Sequence, residues 1–200
     1  MATKTYSATD DFYQQNTSSW YAPNGGTILF AGNTNSGNKY RALIEFPQDS
    51  MPAEGRAKAL KLKVYRKSGS GTNGNKTLYV QIGHSKTTSD ITLVGSAVSY
   101  TMTSGENAWY TIDLTSIAKH LSPTNRFICI YGSAAGSYCG LGTKDVSGNA
   151  AQIEVTTGAD MQVQVNGAWK NVDEVQVNVN GAWKTLDTLQ VDVNDAWKNS

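Results

Sequence analysis

The chain has 200 residues, enough for one ordinary domain with a proper core and a smaller module beside it. Charged residues make up only 16%, Gly numbers 19 and Tyr 10, and Ser, Thr and Asn crowd every segment; this balance suits a turn-rich β protein and excludes a helical bundle. With 17 basic and 16 acidic residues the net charge is +1 and no basic run occurs, so nothing here builds a phosphate-neutralising surface and nucleic acid is not an expected partner.

The first residues, Met1-Ala-Thr-Lys-Thr-Tyr-Ser, are polar, so neither a secretory signal nor a membrane span is expected, and the protein reads as made in a cytoplasm. Strand signals follow, bounded by Gly, Asn, Ser or Pro clusters. Residues 27–31 and 40–46 form the first two. Tyr40, Ala42, Ile44 and Phe46 share a face with the period of a half-buried strand. Residues 59–65 alternate as cleanly, with Leu60, Leu62 and Val64 inward and Lys61 and Lys63 outward. Further strands are expected at 77–82, 94–102, 109–114, 126–131, 137–141 and 152–156, and only 113–121, ahead of Pro123, looks helical. Such a series of short strands predicts an antiparallel jelly-roll β-sandwich over residues 1–157. Cys129 and Cys139 are too few for a disulfide framework. A hairpin of 127–131 with 137–141 would leave them one residue out of register, so free thiols are expected.

At residue 158 the character changes. Three 14-residue units follow, 161–174, 175–188 and a shortened 189–200, each holding a Val-Asn-Gly-Ala-Trp-Lys core or, in the last, Val-Asn-Asp-Ala-Trp-Lys. Asn166-Gly167 and Asn180-Gly181 are the preferred central pair of a two-residue type I′ hairpin, where both positions need positive φ. Pairing Val165 with Ala168 and Val172 with Val175 then gives a six-strand meander over 158–200. Val163, Val165, Val177, Val179, Val191 and Val193 fall on one continuous apolar face. Trp169, Trp183 and Trp197 fall on the other. An apolar face with no cover of its own is expected to be buried either by trimerisation, with valines inside and tryptophans as outer contacts, or against the sandwich.

No catalytic constellation is legible. His84 and His120 are unpaired, with no zinc spacing, and read as surface or capping residues; no nucleophile elbow or phosphate loop is present. The carboxylates Asp10, Asp11, Glu45, Asp113 and Asp145 carry no local motif of a glycosidase pair. Asp10 and Asp11 could donate to calcium, but no calcium-loop motif supports this, and the favoured reading is that Asp11 caps a turn at the start of the first strand. Catalytic residues, metal and cofactor are therefore all read as none. Aromatics are the remaining candidates, since exposed rings stack on sugar faces and anchor partners. Trp20 and Tyr21 in one loop and Tyr138 near another are the candidate ligand-binding residues, with packing equally open for the first two. Trp109 reads as core.

Residues 8–156 resemble the DNRLRE-like jelly-roll family, related to carbohydrate-binding modules of extracellular polysaccharide-processing proteins. The resemblance lies in Ala8-Thr-Asp-Asp-Phe, Ile28-Leu-Phe-Ala-Gly, Tyr40-Arg-Ala-Leu-Ile-Glu-Phe, Ala59-Leu-Lys-Leu-Lys-Val-Tyr, Trp109-Tyr-Thr-Ile-Asp-Leu-Thr and Ala151-Gln-Ile-Glu-Val. The Val-Asn-Gly-Ala-Trp-Lys units resemble those at the C-termini of tail, fibre and other virion proteins in phages of Gram-positive bacteria. That resemblance implies a capsid decoration, fibre or tail component, assembled in the host cytoplasm. It would be a homotrimer in contact with other virion proteins and would meet a cell-surface glycan. The alternative expectation is a carbohydrate-binding module of a bacterial surface protein, monomeric and exported.

Overall fold

The computed structural model describes residues 1–16, 19–23, 28–68, 74–103 and 105–158, and the strand residues between 162 and 199. The chain forms two compact units, Thr3–Thr157 and Gly158–Ser200 together with Met1–Ala2.

The larger unit is all-β. Its strands are β1 (Ala2–Ser7), β2 (Asp10–Gln15), β3 (Leu29–Asn33), β4 (Lys39–Glu45), β5 (Ala57–Lys67) and β6 (Lys76–Lys86). They continue with β7 (Ile91–Met102), β8 (Ala108–Asp113), β9 (Phe127–Gly132), β10 (Cys139–Leu141) and β11 (Gln152–Thr157). They join into one 11-stranded sheet in the order β1-β11-β5-β10-β3-β4-β9-β6-β7, with β2 also on β4 and β8 also on β5. The ladders of β2 to β11 are antiparallel.

The sheet curls because its two ends share one core. Leu60, Leu62 and Val64 of β5, Ile112 of β8 and Ile153 and Val155 of β11 pack in the same cluster as Ala42 and Ile44 of β4, Leu78, Val80 and Ile82 of β6, and Ile128 and Ile130 of β9. Each Leu or Ile so buried contributes about 1.5–3 kcal/mol, and this drives the curl. In β5 the alternation is strict from Leu60 to Lys67, with even positions buried and odd ones facing out. In β4, by contrast, Ala42, Leu43 and Ile44 are all buried. The reason is a second apolar cluster on the back of the sheet, formed by Leu43, Ile91, Phe127 and Cys129 with Phe12, Trp20, Leu93 and Tyr131 around them.

Several expectations are corrected. Two strands, β1 and β2, precede the first one expected, and the segment 115–120 is a six-residue 3-10 helix burying Ile117 and Ala118. Residues 127–131 and 137–141 do not form a hairpin: both edges of β9 are taken by β4 and β6, while β10 lies between β3 and β5. Cys129 and Cys139 are consequently buried free thiols in different apolar clusters. Asp11 caps a distant loop: its Oδ2 accepts the Lys144 N–H at 2.6 Å, tying β2 to the chain after β10.

In the smaller unit, β12 (Gln162–Val165) pairs with β13 (Ala168–Asn171), β14 (Gln176–Val179) with β15 (Ala182–Thr185), and β16 (Gln190–Asp192) with β17 (Trp197–Asn199). The register within each hairpin is the expected one, with Val165 opposite Ala168, Val163 opposite Lys170, Gln164 opposite Trp169, and Val179 opposite Ala182. Val191 is opposite Lys198 and Asp192 opposite Trp197; Val193, both Asn-Gly turns and the Val172–Val175 pairing lie outside the described residues. Among the described residues the hairpins are three separate two-stranded sheets and not one six-strand meander.

Candidate functional site

Five aromatic side chains from three strands and two connecting segments meet on the larger unit. Phe30 of β3 and Tyr138, the residue before β10, lie side by side because Cys139 pairs with Ala31 and Gly140 with Phe30. With no side chain on Gly140, their rings stack at 5.3 Å and 15°. Tyr40 of β4 closes on both, 5.0 Å from Tyr138 and 5.8 Å from Phe30. On the other side Tyr13 of β2 meets Phe30 edge-on at 6.2 Å, and Tyr21, bridged to Tyr13 through the backbone, lies 5.7 Å from the Tyr13 ring. Tyr13, Phe30, Tyr40 and Tyr138 are each half-buried, and Tyr21 is 48% exposed.

The geometry depends on Gly32. It sits at φ +103°, opposite Tyr40, where β3 leaves the β10 ladder for β4. A Cβ there would lie 2.4 Å from the Ser137 carbonyl oxygen, so only glycine permits this close approach. The neighbouring loop is held by Ser137 Oγ, which accepts the Asn33 N–H at 3.0 Å and donates to the Ala134 carbonyl at 2.6 Å. Burial pushes the Tyr138 hydroxyl up to about 12, so it stays a protonated donor at neutral pH. Interlocked, half-buried rings of this kind form an aromatic surface suited to stacking on flat ligands.

Tyr21 and Tyr138 are thus brought into one patch, whereas Trp20 is not. Trp20 lies on the back of the sheet, where its Nε1 donates to the Asp90 carbonyl at 3.3 Å and its backbone N–H to the Thr88 carbonyl at 3.0 Å. The Arg41 guanidinium sits 5.4 Å from the indole centroid and pairs with Asp90 at 3.1 Å. The Ile91 N–H and Arg41 together hold the Asp90 carboxyl below its ordinary range. Trp20 is therefore a packing residue that fastens the 87–90 loop. Tyr13, Phe30 and Tyr40 were missed because they sit inside strands, where an aromatic reads as core. Trp109, expected in the core, is 46% exposed on the outer face of β8. Its parity relative to buried Ile112 and Leu114 carried that signal.

The carboxylates are occupied separately. Glu45 Oε1 accepts both Arg126 Nη2 at 2.7 Å and Arg126 Nε at 3.1 Å, and Asp113 Oδ1 accepts the Thr115 N–H at 2.9 Å. Asp10 Oδ1 accepts the Asp11 N–H at 2.9 Å, and Lys144 Nζ reaches Asp145 at 2.9 Å and Asp10 at 3.7 Å. His84 Nδ1 contacts Asn125 Oδ1 at 2.6 Å, and His120 packs where a Cβ on Gly95 would stand. Among the described residues no three His, Cys, Asp or Glu side chains are grouped to hold a metal ion. No described helix is long and apolar enough to cross a membrane.

No protein-family model matches this sequence, and no curated protein matches it. Among solved structures, an exo-β-1,3-galactanase of Phanerochaete chrysosporium, determined with galactose, is similar over 78% of this chain at 14% identity and a TM-score of 0.34. That alignment spans 30% of the galactanase, so this chain covers less than a third of the enzyme's length.

Proposed function

We propose that the protein is a non-enzymatic structural and adhesion component of a bacteriophage particle, whose larger unit is a jelly roll presenting the five-ring patch to a cell-surface glycan. The observation that carries the binding role is the convergence of Tyr13, Tyr21, Phe30, Tyr40 and Tyr138 on one surface. Aromatic rings left partly in water by a fold with ample core elsewhere are surface available to a ligand. The virion assignment is supported by the Val-Asn-Gly-Ala-Trp-Lys units, in whose first hairpin Val163 is opposite Lys170 and Val165 opposite Ala168. In the second hairpin Val177 is opposite Lys184 and Val179 opposite Ala182. The proposed homotrimer buries these positions around its axis.

The binding test is sedimentation of the full chain with Gram-positive cell walls stripped of anionic polymers. Binding that Tyr138→Ala and Tyr21→Ala each weaken about tenfold or more supports the reading. Equal retention of the wild type and both variants, or no retention of any, overturns the adhesive role. Antibody against residues 1–157, imaged on purified particles by electron microscopy, tests the virion role. Unlabelled particles would favour an exported carbohydrate-binding module.

A further inference from the structure

We propose a second ligand site, separate from the five-ring patch, on the outer face of β5, β8 and β11, which takes an acidic polysaccharide through Trp109, Tyr65, Lys63 and Lys67. Trp109 is opposite Tyr65 in the β5–β8 ladder, and their rings meet at 5.6 Å and 67°. In that edge contact Tyr65 props the indole without covering it, and Trp109, the second residue of β8, stays 46% exposed. Tyr65 itself is fixed from the other side, its carbonyl accepting the Gly142 N–H at 2.7 Å.

The charges around this pair select the ligand. Strand β5 alternates strictly, so Lys63 and Lys67 share the outer face with Tyr65 and flank it, each about 7 Å away along the strand. Lys61 continues the strip. Among the described residues of β5, β8 and β11, the carboxylates on the same face are Glu154 and Asp113. Glu154 is shared by Lys61 and Lys63 at 3.7 Å each, and Asp113 is committed to the Thr115 N–H. Three lysines face two carboxylates, so the strip is cationic in a protein whose overall charge is only +1. One indole is far too small for a protein interface, which needs about 800 Å² on each partner, but it matches the face of one sugar ring. Thr111 and Gln152, across β5 from one another at Lys63, add a hydroxyl and an amide for sugar hydroxyls. A sugar stacked on Trp109 would therefore place carboxylates of the adjoining units against Lys63 and Lys67.

The test is calorimetric titration of the full chain with polygalacturonate, dextran and polyglutamate, which separate acidic glycan, neutral glycan and anion without sugar. Polygalacturonate should bind at least about tenfold more tightly than either control. That binding should weaken about tenfold in Trp109→Ala, recover in Trp109→Phe, and lose its salt dependence in the Lys63→Gln, Lys67→Gln double variant. Tyr138→Ala should leave it unchanged, so this site and the five-ring patch can fail independently. Unaltered affinity in Trp109→Ala, polyglutamate binding as tight as polygalacturonate, or binding of none of the three overturns the proposal.

Discussion

Asp11 shows how one side chain can be both a fastening and a cost. It is 2% exposed, and its Oδ2 holds the Lys144 N–H while Oδ1 has no hydrogen-bond partner. Burial raises its carboxyl above the ordinary 3.8, outweighing the Lys144 hydrogen bond that opposes the shift. A raised folded value means the protonated form is favoured by folding. The associated stability is fully present below pH 3.8 and lost as pH rises through the folded value. Asn at this position keeps an acceptor for Lys144 without the charge. Denaturant unfolding should therefore show the wild type gaining stability relative to Asp11→Asn as pH falls from 7 to 4; a constant difference would contradict the burial argument. The cysteines give a second residue-scale expectation. Both thiols are 0% exposed and burial pushes them up to about 12. A thiol reagent should label neither in the native protein and both in denaturant, and rapid native labelling would mean that the core opens.

At the scale of elements, β3 is the strand on which the fold turns. It pairs with β10 over Leu29–Ala31 and with β4 over Gly32 and Asn33, so the sheet changes partners at a glycine in a left-handed conformation. Gly32→Ala should cost about 2 kcal/mol or more, since it combines backbone strain with a clash against Ser137. The same variant should disturb Tyr40 and Tyr138 together, detectable as shifted ring resonances of both tyrosines. Losing stability without moving the rings would separate the turn from the patch. In β5, Leu62→Ala removes a fully buried side chain from the main core and should cost about 2–5 kcal/mol by thermal or denaturant unfolding.

For the whole molecule, the larger unit carries its own core and should stand alone. Residues 1–157 expressed by themselves should unfold cooperatively in a calorimeter, because the buried residues of both apolar clusters lie within them. Under the proposed trimer, light scattering should give three copies for the full chain and one for the fragment. Val177→Asp and Val179→Asp should each return the full chain to a monomer. A monomeric wild type at micromolar concentration would sink the trimer.

Periodicity alone determined most of the elements, because a half-buried strand must alternate: Leu60, Leu62 and Val64 declare an inner face, and the Asn-Gly pairs declare hairpins. It also placed Tyr21 and Tyr138 among the ligand candidates, since both stand beside turn-forming residues. Tertiary structure decided what lay between the elements. The meeting of Tyr13, Tyr21, Phe30, Tyr40 and Tyr138 depends on β10 choosing β3 and β5 over β9, a pairing between segments more than 70 residues apart that leaves no local trace. The second apolar cluster likewise turned Trp20 from a candidate ligand contact into packing and buried Cys129 away from Cys139. Local pattern fixes which side of a strand is apolar. Only the curl of the sheet decides whether that side meets the core, a second cluster or water.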